Sequence, residues 1–139
     1  MNSSSRIKNI LIVDDDPVFR AVARRTCSKY RFNPMVCASL RELQTASLGT
    51  SFDVVIMDYF LDNLKHALTG VEIANLVEHV PIILVSTSDH CIDESEAWPA
   101  SIRAFYNKRV GADAILKAAR LLSERRPESD RKGRSYEGQ

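Results

Sequence analysis

Five side chains carry groups that could act together: Asp14, Asp15, Asp58, Ser86 and Lys108. Each lies where an apolar run stops. "ILIV" (10–13) leads to Asp14 and Asp15, "DVVIM" (53–57) to Asp58, "PIILV" (81–85) to Ser86 and Thr87, and "AFYN" (104–107) to Lys108. Carboxylates gathered this closely cannot all stay ionised without a counter-charge, which a hard divalent cation with oxygen ligands supplies. Magnesium keeps several waters and takes one or two carboxylates together with phosphate oxygens, which suits an acidic pair facing a third Asp. A carboxylate is also a nucleophile that forms acyl phosphates. An ammonium and a hydroxyl are suitable donors to two phosphoryl oxygens, with the metal on the third. Read singly, each residue has a plainer role: Asp14–Asp16 before Pro17 as a turn and helix cap, Asp58 as a turn acid, Ser86 as a cap, Lys108 as a solvated charge. Their arrival at successive strand ends favours shared chemistry.

The elements that must position them follow from the same runs. "ILIV", "DVVIM" and "PIILV" are too short for helices and rich in β-branched residues, the pattern of strands covered on both faces, hence of a parallel sheet. "PMVC" (34–37) and "AFYN" (104–107) are weaker strands. Between them, Phe19, Val22, Ala23, Thr26, Cys27 and Tyr30 repeat with helical spacing, and Arg20, Arg24, Arg25 and Lys29 fall largely opposite. "SLRE" (39–42) and "TGVE" (69–72) read as capping boxes. Gly111 precedes "ADAILKAARLL", whose expected core stripe is Ala114, Ile115, Ala118, Leu121 and Leu122. "DHCIDESEAWP" (89–99) is acidic and ends in proline, so a short or irregular element is expected. The order is βαβαβαβαβα: one doubly wound α/β domain of five parallel strands over residues 1–125. Residues 126–139, "RPESDRKGRSYEGQ", have almost no apolar side chains and are expected to be a disordered tail or the start of a linker.

Bulk properties narrow the function. The 139 residues suit a single domain that buries roughly two-thirds of its unfolded surface. A formal net charge of +1 gives no basic excess for a general nucleic-acid or membrane-surface binder. No helix-turn-helix follows the last core helix, so no nucleic-acid contact is expected of this domain. No apolar run reaches the ~20 residues of a membrane span, and "MNSSSRIKN" is too polar for a signal peptide. Cys27, Cys37 and Cys91 are odd in number and form no CxxC, which points to reduced thiols in a cytoplasmic protein. His66, His79 and His90 add no zinc-ligand spacing.

In "ILIVDDDP", "DVVIMDYFL", "GVEIA", "PIILVSTS" and "AFYNK", spread over residues 7 to about 125, the sequence resembles the response-regulator receiver domain of two-component signalling, in its single-domain, chemotaxis-type form. The resemblance implies a flavodoxin-like (βα)5 fold and a phosphoacceptor role for Asp58, supplied by a sensor histidine kinase or a histidine phosphotransfer protein. It implies that Asp15 and Asp58 ligate Mg2+ with the backbone carbonyl of Phe60, and that Asp14 acts through water. Ser86 would be the switch hydroxyl, Lys108 the phosphate-binding lysine and Phe105 the aromatic switch. On phosphorylation Ser86 would be drawn to the new anion and Phe105 would turn inward, altering a partner-facing surface over residues 88–120 that includes Trp98. Such a domain is a phosphoacceptor with at most slow self-dephosphorylation rather than an enzyme.

Three features depart from the family pattern. Arg109 stands where a proline, often cis, usually follows the lysine. The stretch "DYFLDNLKHALTG" (58–70) is several residues longer than usual and lacks the expected proline, which would alter the rim of the site and let Lys65 or His66 take part in it. Phe60 sets a bulky ring near the path of a hydrolytic water. Two other readings remain: a receiver-like binding module that no longer uses phosphate, and a magnesium-dependent phosphohydrolase with an Asp nucleophile. The second needs more chain for a substrate-selecting cap.

Overall fold

A computed structural model of the chain describes residues 6–39, 41–42, 51–59, 80–88 and 100–124, together with the backbone of Ser135–Glu137. Strand β1 is Lys8–Val13, β2 Phe32–Cys37, β3 Val54–Asp58, β4 Ile82–Ser86 and β5 Ile102–Asn107. Helix α1 is Pro17–Thr26, continued by a 3-10 turn at Cys27–Tyr30; helix α2 is Ala112–Ser123. A sixth strand, β6, is Ser135–Glu137. One sheet carries all six in the order β2-β1-β3-β4-β5-β6, and every neighbouring pair is parallel.

The five expected strands are present, each within two residues of the apolar run that announces it. β1, β3 and β4 have continuous apolar runs because both of their faces are buried. Ile10, Ile12, Val54, Ile56, Ile83, Val85 and Ala104 pack on one face against Phe19, Ala23, Ile115, Leu116 and Ala119 of the two helices. Leu11, Val13, Val55, Met57, Leu84 and Phe105, on the opposite face, are fully buried as well. Pro34 is tolerated in β2 because that strand is a sheet edge, where a missing N–H costs no ladder bond on the open side.

Two helix expectations are corrected here, and the five expected parallel strands gain a neighbour. Ser135–Glu137, within the stretch expected to be a disordered tail, extends the sheet by pairing Ala104 with Ser135, Phe105 with Tyr136 and Tyr106 with Glu137. The buried stripe of α2 is turned by about one residue: Ile115, Leu116, Ala119 and Arg120 face inward, while Ala114 and Leu121 are exposed. "ADAILKAARLL" is apolar in both phases, so periodicity alone cannot choose between them. In α1, Val22 faces solvent although it fits the helical spacing.

Caps set the helix boundaries. Asp16 caps α1 by accepting from the Val18 N–H at 2.9 Å, with Pro17 at the first helical position. The first capping box is present in outline: Ser39 Oγ accepts from the Glu42 N–H, and Glu42 Oε1 accepts from the Ala38 N–H at 2.7 Å, one residue before the usual donor. The "TGVE" box, the 59–70 loop beyond Tyr59 and the 89–99 segment with Trp98 lie outside the described residues.

At the N-terminal ends of the strands, buried cations tie α2 to the sheet. Arg120 bonds Glu124 Oε2 at 2.9 Å, the Arg6 carbonyl at 2.8 Å and the Arg31 carbonyl at 3.3 Å, and its guanidinium lies 5.8 Å from the Phe32 ring. Lys8 Nζ donates to the Ser123 carbonyl at 3.1 Å. Cys27 and Cys37 are buried and unpaired, and burial pushes both thiols up, Cys27 to about 11, so both stay protonated at neutral pH.

Candidate functional site

In a parallel sheet of order 2-1-3-4-5, connections leave in opposite directions on either side of the β1/β3 boundary. This opens a crevice at the carboxyl ends of those strands. Asp14 directly follows β1 and Asp58 is the last residue of β3, so two of the acids flank that crevice. Asp58 is held there by the ladder: it pairs with Val85, and the next N–H, of Tyr59, donates to the Val85 carbonyl at 3.0 Å. The Asp14 N–H bonds the Cys37 carbonyl at 3.0 Å, which anchors the other side.

Oxygen atoms of Asp14, Asp15 and Asp58 all lie within 4.8 Å of one another. Asp14 is completely buried and Asp58 is 6% exposed, whereas Asp15 faces solvent. Lys108 Nζ reaches into the group, 2.8 Å from Asp14 Oδ2 and 3.7 Å from Asp58 Oδ2, with its ammonium 4.9 Å from the centre of the Phe19 ring. That ring shields one side of the cation from water, which strengthens its pull on the carboxylates.

Asp14 is the hub of this end of the molecule. Its Oδ1 accepts from the Asp16 N–H at 2.8 Å, and its carbonyl accepts from Arg20 Nη1 at 2.8 Å. Its Oδ2 is buried and meets Lys108 as an ion pair, yet among the described residues no donor reaches it with hydrogen-bond geometry. An under-satisfied buried carboxylate oxygen is costly unless another positive group completes it. Among the described residues, the cluster sets three carboxylates against the Lys108 ammonium. A divalent cation with oxygen ligands matches both the charge and the donor set.

Ser86, 1% exposed, ends β4, and its Oγ accepts from the Ser88 N–H at 3.1 Å. Thr87 is exposed. Phe105 is fully buried in β5. Phe60, Lys65 and His66 lie outside the described residues. Sequence reasoning overlooked Phe19 as a neighbour of the ammonium, Arg20 as a tie on Asp14, and Asn107. Asn107 is wholly buried, and its Oδ1 accepts from the Arg109 N–H at 2.9 Å. The signal that could have found it is the tendency of an Asn side chain to accept from the backbone N–H two residues on.

The receiver-domain model of response regulators matches residues 10–120, the span that contains Asp14, Asp15, Asp58, Ser86 and Lys108. The chain belongs to the response regulator receiver domain family. Solved receiver structures share its fold. The chemotaxis response regulator CheY4 of Vibrio cholerae is similar with a TM-score of 0.68 and 18% identity, over 84% of this chain and 98% of that one. A response regulator receiver protein from Sinorhizobium medicae gives 0.68 and 18%, over 93% and 100%. A Burkholderia pseudomallei response regulator, solved with a phosphorylated aspartic acid, a calcium ion and citrate, gives 0.66 and 17%, over 84% and 68%. No curated protein sequence matches the chain. The architecture is thus the flavodoxin-like receiver fold, with an acidic pocket that could hold a metal ion at the expected strand ends. Among the described residues, no helix is long and apolar enough to cross a membrane.

Proposed function

We propose that this receiver domain takes a phosphoryl group onto Asp58 from the phosphohistidine of a sensor kinase or a phosphotransfer protein, and so acts as a cytoplasmic switch rather than a turnover enzyme. The observation that carries the reading is the cluster itself: a nearly buried Asp58 beside Asp14 and Asp15, with one ammonium 3.7 Å from the nucleophile's oxygen. An Asp58 oxygen attacks phosphorus, the phosphorus–nitrogen bond breaks, and its electron pair leaves with the imidazole nitrogen. Lys108, already between the two buried acids, donates to one phosphoryl oxygen, and the Ser86 hydroxyl at the neighbouring strand end donates to another. Asp14, Asp15 and Asp58 would hold Mg2+, with the Phe60 carbonyl as a further ligand implied by the family resemblance. Bound magnesium would supply positive charge against the oxygens of the transferring group.

Supporting a protein donor, α1 exposes Val18 (69%) and Val22 (40%) one turn apart, next to Arg25, directly after the acidic loop. The output face would comprise residues 88–120. Drawing Ser86 toward a new anion breaks its bond to the Ser88 N–H, which loosens the start of the following segment.

Incubation with acetyl phosphate and Mg2+, followed by intact-mass analysis, tests the assignment. The wild type should gain one phosphoryl group and Asp58→Asn none. Stoichiometric uptake by Asp58→Asn would refute Asp58 as acceptor. A wild type that neither binds Mg2+ nor gains mass would make the domain a binding module that does not use phosphate.

A further inference from the structure

The lysine that reaches the acidic pocket sits on a turn built differently from the Lys-Pro pattern. Lys108–Val110 form a single 3-10 turn, and all its peptide bonds are trans. The turn is held at three points. Asn107 Oδ1 accepts from the Arg109 N–H at 2.9 Å, the Gly111 N–H donates to the Lys108 carbonyl at 3.1 Å, and Gly111 adopts φ +92°, a value few L residues accept. The first tie depends on a donor that proline lacks. Asn107 pairs with Ser86 in the β4–β5 register and is completely buried, so its side chain is fixed in place before the chain turns toward the pocket.

We propose that Asn107 is a positioning residue for the phosphate-binding lysine. Its side-chain oxygen captures the Arg109 N–H, bends the chain immediately after β5, and thereby aims Lys108 between Asp14 and Asp58. The inference rests on the phosphoacceptor reading only for its consequence on rate; its geometric content stands in the unphosphorylated protein. Asn107 immediately precedes Lys108 in the chain. It acts through the backbone that carries Lys108, where a displacement of about 1 Å at a reacting group can cost on the order of a hundredfold in rate.

The test compares Asn107→Ala with Asn107→Ser, which differ by one oxygen able to accept the Arg109 N–H. Two signals are read in the unphosphorylated full chain by NMR: the Lys108 side-chain ammonium resonance and the exchange rate of the Arg109 amide. In Asn107→Ala the Lys108 signal should move toward that of a solvated lysine and the Arg109 amide should exchange at least about tenfold faster. In Asn107→Ser both should return most of the way to wild type. Arg109→Ala keeps the N–H and should leave the Lys108 signal in place. Phosphorylation by acetyl phosphate should then slow about tenfold or more in Asn107→Ala, and recover in Asn107→Ser. If Asn107→Ala leaves Lys108 and the Arg109 amide unchanged, Asn107 is merely a buried polar residue and the proposal fails. It fails equally if Ser and Ala behave alike. If Asn107→Ala does not fold, a serine variant with a displaced Lys108 signal overturns the proposal and one with a native signal supports it. A wild type that takes up no phosphate would defeat the functional reading while leaving the two NMR signals to decide this one.

Discussion

The two ends of the sheet both bury cations, and they satisfy them in opposite ways. At the N-terminal end, among the described residues, Arg120 and Lys8 donate to the backbone carbonyls of Arg6, Arg31 and Ser123, and Arg120 also meets the Glu124 carboxylate. A carbonyl carries partial charge and its position is set by the chain, so this end is balanced by fixed dipoles. At the C-terminal end, among the described residues, Lys108 is outnumbered by Asp14, Asp15 and Asp58, and one buried oxygen of Asp14 lacks a well-aligned donor. The first arrangement closes a structure. The second gathers negative charge of the kind that a divalent cation would match. A buried charge is therefore informative about function only when its partners are counted.

Breaking the saturated end should cost the most. Arg120→Met removes donors from two carbonyls and Glu124. It should lower unfolding stability by about 2 kcal/mol, at the low end for a broken buried pair because Glu124 can turn to water. Urea denaturation checks this, and the extent of phosphorylation of the folded protein should be unchanged. A loss of phosphate uptake at full folding would mean that the two ends are coupled.

The unsaturated end should respond to its missing charge. Mg2+ at about ten times its dissociation constant should add roughly 1.4 kcal/mol by mass action and raise the melting temperature by about 4 °C. Asp15→Asn should shrink that shift and, by relieving repulsion, raise the melting temperature of the metal-free protein. An undiminished shift would remove Asp15 from the metal site.

The smallest effect calibrates both. Lys29 and Asp113 pair at 2.6 Å on the surface, more than half exposed. The Lys29 ammonium, by hydrogen bond and charge, holds the Asp113 carboxyl below its ordinary 3.8, and Asp113 holds Lys29 above its ordinary 10.5. The carboxyl's contribution is therefore present above the unfolded aspartate value and fades as pH falls through the lower folded value. The ammonium's contribution is present below 10.5 and fades as pH rises through the higher folded value. Asp113→Asn should change the melting temperature by under about 1 °C at neutral pH, because water screens the pair. A larger change would show that surface pairing matters here as much as the buried ends do.

The sequence was most legible where one physical requirement acted alone. Strands β1, β3 and β4 need apolar residues on both faces and have no competing pattern, so their runs end beside the acids and the hydroxyl that stand at the carboxyl edge of the sheet. Legibility failed where two patterns fit equally. In α2, Leu116 and Leu121 belong to alternative apolar stripes, and the inward phase goes with the hold of Arg120 on the Arg6 and Arg31 carbonyls, a contact spanning most of the chain. Strand β6 gave no signal because Ser, Tyr and Glu in a polar stretch gain their pairing from an edge already made by β5. At the site, residues that bear charge were visible, but those that aim them were not. Phe19 reads as a core residue and Asn107 as the last residue of a strand, because what each supports is set by contacts distant in sequence or made through the backbone.

The sixth strand also governs what the molecule can join. Without Ser135–Glu137, the outer N–H and C=O groups of β5 between Ala104 and Tyr106 would lie open as a template for any extended peptide, including the same strand of another copy. A chain shortened to the end of α2 would keep the acidic pocket and lose this intramolecular terminator. Its tendency to self-associate through sheet edges would then be a property of the truncation, not of the receiver domain.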